Sequence, residues 1–186
     1  MSDTEIVVAI YDTHDDAEKT VRELQHAGFD MKKLSIVAKN PHAEEHVVGF
    51  YNAGDRIMHW GKRGAFWGSI WGLLFGAAFF AIPGLGPVLV AGPLVGWIVA
   101  GLEGAAVVGG VSAVGAGLFS IGIPKDSVLE YEIAIKTDRF LLLVDGTAEE
   151  AARAQGIIVT TNPSRLDIHS LQGEAEYDRE LALAKG

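Results

Sequence analysis

The chain of 186 residues contains no cysteine. This absence excludes a disulfide scaffold, thiolate catalysis, zinc sites with cysteine ligands and iron–sulfur clusters held by cysteine. Basic residues are also few: 15 lysines and arginines stand against 24 acidic residues, for a formal net charge of −9. Binding to nucleic acid depends largely on neutralising phosphates with lysine and arginine, so nucleic acid is not an expected partner.

Charged side chains are almost absent from the middle of the chain. Residues 64–124 contain one, Glu103, whereas charges are frequent on both sides of this tract. The first residues, MSDTEIVVAIYD, carry no basic segment, and their apolar run is too short for the core of a signal peptide. We therefore expect the N-terminus to stay in the cytoplasm.

The polar N-terminal part predicts a strand, a helix and a second strand. Residues 5–11 are apolar on both faces of a pleat, which is typical of a central strand. Thr13 is a suitable N-cap for the following helix, and Gly28 is a suitable residue for its end. Residues 34–38 then predict a second strand, which the sequence Asn40-Pro41 ends.

The polar C-terminal part repeats this pattern. Residues 140–144 predict a strand, Thr147 and Glu150 form a capping box that opens a helix, and residues 165–170 predict a last strand. Residues 127–138 alternate as a strand would, but a cap at Asp126 or Ser127 favours the helix that we expect. The predicted fold class is α+β, a ferredoxin-like split sandwich interrupted by the apolar tract.

The apolar tract is long enough to cross a membrane twice. A helix needs roughly 20 residues to span the hydrocarbon core, and residues 64–82 and 93–122 each supply about that length or more. Three prolines in residues 83–93 predict a turn between them. We therefore expect a transmembrane-type helical hairpin. A second helix interrupted at Gly109-Gly110, a re-entrant middle segment and a hairpin buried in a soluble assembly remain alternatives.

Small residues recur every four positions in both predicted helices, and this spacing places them on one stripe where another helix can approach closely. A second stripe of this kind contains Ala105, Gly109, Ala113 and Gly117. The pattern predicts a glycine zipper and a homo-oligomer. The predicted packing residues are Gly64, Gly68, Gly72, Gly76, Gly96 and Gly104.

Basic residues flank the apolar tract and are absent from its predicted turn. Arg56, Lys62 and Arg63 precede the tract and Lys125 follows it. By the positive-inside rule both termini then lie in the cytoplasm, with the hairpin in the inner membrane and the lipid bilayer as a partner. The predicted interface anchors are Trp60, Lys62, Arg63 and Trp67. The predicted parts of the chain are residues 1–62 and 125–171 for the two halves of the sandwich, 63–124 for the hairpin and 172–186 for a polar tail.

Few residues indicate chemistry. Glu103 is a candidate intramembrane polar site, because a charge at the bilayer centre is costly and often functional. His42 and His46 have a spacing that a metal pair would use, but they lack the surroundings of a metalloenzyme motif. A solvated loop or short amphipathic helix is expected for this polar stretch, which also contains His59. His14, His26 and His169 are expected at the surface or its rim. We predict no catalytic residue, no metal, no cofactor and no enzyme activity.

Three segments carry a resemblance to a known family: GDRIMHWGKRGAFWGSIWGLLFG, IPGLGPVLVAGPL and SIGIPKDSVLEYEIAIKTDRFLLLVDGTAEE. Over residues 5–160 the chain resembles a bacterial family of small α/β proteins related to the general stress proteins, some of which are labelled membrane proteins or permeases. The resemblance implies a helix over residues 127–137 and a stress-associated role at or near a membrane. It supplies no reaction and no catalytic residues.

The sequence therefore predicts a non-enzymatic, oligomeric, membrane-anchored protein linked to general or envelope stress. One alternative is an oligomeric assembly that conducts protons or ions past Glu103. Another is a soluble ligand-binding or assembly protein that sequesters its hydrophobic hairpin.

Overall fold

A computed structural model describes residues 4–39, 77–82, 84–104 and 112–170, with the side chains of 77–79 and 101–104 outside the description. These residues form a mixed α/β protein with six strands and five α-helices. In chain order the elements are β1 (Thr4–Tyr11), α1 (His14–His26), β2 (Leu34–Lys39), β3 (Ala77–Ile82), β4 (Gly86–Ala91), α2 (Leu94–Gly104), α3 (Ala113–Ser120), α4 (Lys125–Lys136), β5 (Phe140–Thr147), α5 (Ala148–Ile158) and β6 (Arg165–Ser170). Two short 3-10 helices, Met31–Lys33 and Val159–Thr161, precede β2 and follow α5.

The strands form one sheet in the order β3-β4-β2-β5-β1-β6, and every neighbouring pair is antiparallel. The strands of each predicted βαβ unit, β1 with β2 and β5 with β6, are therefore parallel to each other and separated by one strand of the other unit. This split order is the one that a ferredoxin-like sandwich requires.

The caps predicted from the sequence begin and end the outer helices. The Thr13 side chain accepts a hydrogen bond from the Asp16 backbone N–H at 3.2 Å, and Gly28 follows α1 with a φ of 77°. Thr147 and Glu150 form both hydrogen bonds of a capping box at the start of α5. The helix expected over residues 127–138 is also confirmed, because α4 covers most of that range.

Each face of the sheet is covered by a separate apolar core. Helices α1 and α5 pack on the first face, and α2, α3 and α4 pack on the second face. Strand β1 contributes to both, since Val7 and Ala9 point to the first face and Ile6 and Val8 to the second. The burial of β1 on both faces confirms its prediction as a central strand.

The described part of the apolar tract does not form the predicted hairpin of two membrane-spanning helices. Residues 77–82 form β3 where the helix over 64–82 was predicted, and Gly86–Ala91 form β4 where a turn was predicted. The predicted helix over 93–122 is divided into α2 and α3, with residues 105–111 outside the description. Within the described ranges, no helix combines the length and the apolar composition that crossing a bilayer demands.

The physical reason for this difference is the sheet edge that β2 offers. Strand β4 pairs with β2 over four residues, and its Val88 and Val90 side chains enter the core of the second face. An apolar run of five residues between glycines fits a doubly buried strand as well as a helix segment, and periodicity alone does not separate the two. Pairing with β2 also satisfies backbone groups of both strands.

Gly92 allows the chain to turn from β4 into α2. Its φ is 90°, and a Cβ at this position would lie 2.0 Å from the carbonyl oxygen of Leu34. The adjacent Ser35 hydroxyl accepts a hydrogen bond of 3.1 Å from the backbone N–H of Leu94 at the start of α2. A residue with a side chain at position 92 would therefore push the insert away from the sheet.

Candidate functional site

The structure describes few of the residues predicted for helix packing and membrane contact. Gly96 lies on an exposed side of α2, where an added Cβ would meet nothing within 4 Å. Gly104 ends α2, and Glu103 precedes it with a side chain outside the description. The remaining predicted residues lie outside the described ranges: Gly64, Gly68, Gly72, Gly76, Trp60, Lys62, Arg63 and Trp67.

The second predicted stripe of small residues makes a close contact between α2 and α3. Ala113 and Gly117 of that stripe are buried. A Cβ at Gly117 would lie 3.1 Å from the backbone nitrogen of Ile98, so the two helices meet nearly backbone to backbone. The close approach that small residues permit is therefore used within the chain.

Part of the helical layer formed by α2 and α3 is open to solvent. Leu94 and Ile98 are buried against the sheet, while Val99 is 50% exposed and Phe119 on α3 is 43% exposed. Helix α2 has the sequence LVGWIVAGLEG, with Glu103 as its one charged residue. Among the α2 side chains that the structure describes, the exposed positions are Gly96, Val99 and Ala100, and none of them is polar. We call the pair Val99 and Phe119 the exposed apolar pair.

A cluster of polar side chains joins α4 to the edge strand β6. Alternate residues of β6 face α4, because Arg165, Asp167 and His169 are opposite Ile10, Val8 and Ile6 in the pairing with β1. Those three β1 residues belong to the core of the second face, to which Tyr131 of α4 also belongs. The name Tyr131 cluster is used here for Glu130, Tyr131, Arg165, Asp167 and His169.

Hydrogen bonds connect all members of the Tyr131 cluster. The phenol of Tyr131 donates to Asp167 Oδ2 at 2.9 Å, and its oxygen lies 2.7 Å from His169 Nε2. Because the phenol proton goes to Asp167, the second contact uses the phenol oxygen as acceptor for an Nε2–H of the imidazole. Arg165 forms ion pairs with both Asp167 and Glu130.

The environment of the cluster keeps the tyrosine protonated. Burial is the main reason that the pKa of Tyr131 is well above its ordinary value of 10, and the hydrogen bond to the negative Asp167 raises the pKa further. The phenol is therefore a permanent hydrogen-bond donor in the physiological range. It fixes the position of Asp167 and cannot act as a base there.

His169 is only 7% exposed, so its prediction as an ordinary surface or rim residue was wrong. A usable signal was present in the sequence RLDIHS, in which polar residues alternate with Leu166 and Ile168 along a strand. Such alternation predicts that three polar side chains share one face. It does not reveal that a tyrosine lies opposite that face, because the partner comes from another element.

A second buried acid connects α4 to the start of α3. The Glu132 side chain is buried and accepts a hydrogen bond of 2.6 Å from the backbone N–H of Ser112, the N-cap of α3. The positive end of the α3 helix dipole also favours a carboxylate here. Glu132 and the Tyr131 cluster thus hold two sides of α4 in place.

Lys33 interacts with two acids of different character, Glu150 of α5 and Asp145 of β5. Its Nζ forms hydrogen bonds of 2.7 and 2.8 Å with the two carboxylate oxygens of Glu150. The hydrogen bond to Lys33 is the main cause of a lowered pKa of Glu150, whereas burial raises the pKa of Asp145. Lys33 and Glu150 form a surface ion pair at the start of α5.

One group among the described residues could bring three metal ligands together. The ligand atoms of His14, Asp15 and Glu18 lie within 4.8 Å of one another in the first turns of α1. Glu18 also forms an ion pair with Arg22, with which a cation would compete. The histidine pair considered from the sequence, His42 and His46, lies with His59 outside the described residues.

Residues 6–79 match the family model of the heat induced stress protein YflT domain. The matched range contains nearly all of β1, together with α1, β2 and the first residues of β3. No curated protein and no solved structure matches the chain. The match does not support the membrane or permease label that the resemblance carried. It shows that the matched part, less than half of the chain, is similar to heat-induced stress proteins.

Proposed function

We propose that the chain is a non-enzymatic protein of the general stress response that works as a homo-oligomer and keeps most of its apolar insert against its own sheet. The observation that carries this proposal is the position of β4, which is hydrogen-bonded to β2 inside the sheet. Helix α2 follows β4 and places Leu94 and Ile98 in the same core. The stress link rests on the family match over residues 6–79.

The arrangement of the titratable groups supports a non-enzymatic role. A general base or nucleophile must be open to a substrate and activated by a neighbour. In the Tyr131 cluster the phenol is buried and stays protonated, and the Asp167 carboxylate is bound by Tyr131 and Arg165. Glu132 is held by a backbone N–H. These contacts stabilise the association of α4 with its neighbours.

The exposed apolar pair supports a second proposal, which concerns location. Val99 and Phe119 are large apolar side chains that are open to solvent on the neighbouring helices α2 and α3. Where exposed apolar side chains form a contiguous patch, the patch marks contact with a protein or a membrane. We therefore place the protein at the cytoplasmic face of the inner membrane, with both termini in the cytoplasm and the lipid surface as a partner. Ion conduction past Glu103 would need assembled spanning helices and is not part of this proposal.

Extraction of membranes with alkaline carbonate tests the position of the insert. The proposal predicts that the intact chain is released by carbonate without detergent and that light scattering gives a mass of two or more chains. Retention in the washed membranes until detergent is added would show that the insert lies in the bilayer. A released monomer would overturn the homo-oligomer.

Binding to lipid vesicles tests the location separately. The double variant Val99→Lys and Phe119→Lys is expected to lose co-sedimentation with vesicles of neutral lipid, to which the added lysines have no electrostatic attraction. The control is Val159→Lys, since Val159 is 60% exposed but lies after α5, on the other face of the sheet. Equal binding of the two variants would contradict a membrane contact through the exposed apolar pair.

A further inference from the structure

Strand β6 lies at one edge of the sheet. Among the described residues its neighbour in the sheet is β1, and residues 165–170 pair with residues 5–10 one for one. The outer side of β6 therefore presents backbone N–H and C=O groups that the sheet does not pair. Such an edge is a template for another strand.

Strand β6 is short and has two charged side chains, but it has none of the stronger devices that keep an edge from pairing. Natural edges are blocked by lysine, proline, a β-bulge or a charge that points into the approaching strand. The sequence RLDIHS contains neither lysine nor proline, and its register with β1 has no bulge over residues 165–170. Its charged side chains, Arg165 and Asp167, are already held by Glu130 and Tyr131 on α4.

The other face of the same strand exposes an apolar side chain. Ile168 is 38% exposed and lies between Asp167 and His169, on the opposite side of the sheet from the Tyr131 cluster. A lone exposed isoleucine is common at a protein surface. On an unprotected edge, however, a second β-strand would cover it.

We propose that β6 pairs in antiparallel fashion with β6 of a second copy of this chain, about a two-fold axis at Ile168. This inference rests on the homo-oligomer of the proposed function and names the surface that forms it. Two sheets of six strands would then join into one continuous sheet. The helical layers of the two copies would remain on matching faces.

The sequence of β6 selects this register. When a two-fold axis is normal to the sheet, one residue lies opposite its own copy in the partner strand. Within residues 165–170 the number of paired residues is greatest when that residue is Asp167 or Ile168. An axis at Asp167 places two carboxylates directly opposite each other, which is destabilising. An axis at Ile168 pairs the two isoleucines and places Asp167 opposite the imidazole of His169, so that the two carboxylates do not face each other.

The absence of cysteine permits a direct test of the register. In an antiparallel pair, opposite Cα atoms are about 4.5 or 5.5 Å apart, within the range of roughly 4.4–6.8 Å that a disulfide accepts. The variant Ile168→Cys is therefore expected to give mostly covalent dimer after mild oxidation, as seen on a non-reducing gel.

Two controls separate this register from chance collision. Leu166 is on the same strand and the same face as Ile168. In the proposed register it lies opposite Ser170 of the second copy, and the Leu166 residues of the two copies are about 13 Å apart. Leu166→Cys alone should stay monomeric on the gel, whereas a mixture of Leu166→Cys and Ser170→Cys chains should form the mixed dimer. Val159→Cys, at a position more exposed than Ile168, measures random cross-linking.

The outcomes distinguish the surface from the oligomer. If Ile168→Cys forms no more covalent dimer than Val159→Cys does, the β6 interface is overturned. If Ile168→Cys fails to cross-link but light scattering still shows an oligomer, the proposed function stands, and another surface forms the contact between the copies. A wild-type chain that is monomeric by light scattering would remove both proposals.

Discussion

Gly117 of α3 lies against the backbone of Ile98 of α2, and a Cβ on the glycine would be only 3.1 Å from the isoleucine nitrogen. The spacing of small residues predicted such close approach between helices. The structure provides the partner within the same chain, because α3 folds back on α2 above the second face of the sheet. The small size of Gly117 is therefore needed for the packing of two helices within one chain.

Replacing Gly117 with leucine should destabilise the fold. The side chain has no space between α2 and α3, and overpacking of this kind costs about 1–3 kcal/mol in the free energy of unfolding. Urea unfolding followed by circular dichroism measures the loss. The matched control is Gly96→Leu on the open side of α2, where helix propensity predicts a gain of up to about 1 kcal/mol. Equal losses in both variants would contradict the described helix contact.

Gly96→Leu also tests the sequence prediction that Gly96 packs between copies. Light scattering of this variant should show a smaller assembly if the glycine is a packing contact in the oligomer. An unchanged assembly would remove Gly96 from the set of packing residues.

Gly92→Ala should be among the most damaging small substitutions in the chain. A Cβ would lie 2.0 Å from the Leu34 oxygen, and the φ of 90° is unfavourable for alanine. We expect a loss of more than about 2 kcal/mol in the free energy of unfolding. Gly156→Ala on α5 is the control, since a Cβ there meets nothing within 4 Å and alanine favours the helix. A stable Gly92→Ala protein would mean that the turn into α2 is not as described.

Tyr131→Phe should cost more than Tyr11→Phe, although both tyrosines are fully buried. The Tyr131 phenol contacts a carboxylate and an imidazole, and hydrogen bonds to charged groups contribute about 1.5–3 kcal/mol. The Tyr11 phenol contacts the Thr161 hydroxyl at 3.1 Å, and a neutral pair contributes about 0.5–1.5 kcal/mol. Thermal or urea unfolding of the two variants provides the comparison, and a larger loss for Tyr11→Phe would contradict it.

The two acids beside Lys33 should affect the pH dependence of stability in opposite directions. Lys33 lowers the pKa of Glu150 from its ordinary value of 4.5. The ionised carboxylate therefore stabilises the fold fully above pH 4.5, and this stabilisation is lost as the pH falls through the lowered pKa. Burial raises the pKa of Asp145 from 3.8, so its ionisation destabilises the fold as the pH rises through the raised pKa.

Glu150→Gln should therefore be less stable than the wild type at pH 7, and Asp145→Asn should be more stable. Both differences should vanish in acid, where the carboxyl groups are neutral in the folded and unfolded states. Urea unfolding from pH 3 to pH 7 measures both. Glutamine keeps the capping box, so the change at position 150 reports on the ion pair. Parallel pH profiles for the two variants would contradict this assignment.

The outer elements could be predicted from the sequence because their signals are local. Thr13 and Thr147 sit before helical segments with acids in the first turn, and the runs at β1, β5 and β6 are bounded by polar or turn residues. The split sheet then follows from two consecutive βαβ patterns. Helix α4 was ambiguous by alternation. The preference for a helix was correct, but the predicted cap at Asp126 or Ser127 was wrong, because α4 begins after Pro124 and has no side-chain cap.

The insert could not be predicted because its composition fits two environments. A run such as GPVLVAGPL is apolar enough for lipid and equally suited to a strand that is buried on both faces. The choice depends on the free edge of β2, to which β4 binds through pairs such as Val37 with Val90. The Tyr131 cluster was missed for a similar reason, since Tyr131 and His169 meet only in the folded chain.

Labelling of two adjacent residues on α2 tests most directly whether the insert packs on its own sheet. In the chain without native cysteines, Ile98→Cys and Val99→Cys are treated with a maleimide that does not cross membranes, on open membrane fragments and on released protein. We expect rapid labelling of Val99→Cys in the released protein, and labelling of Ile98→Cys only after unfolding in urea. Protection of both positions until detergent dissolves the membrane would contradict it and place α2 in lipid.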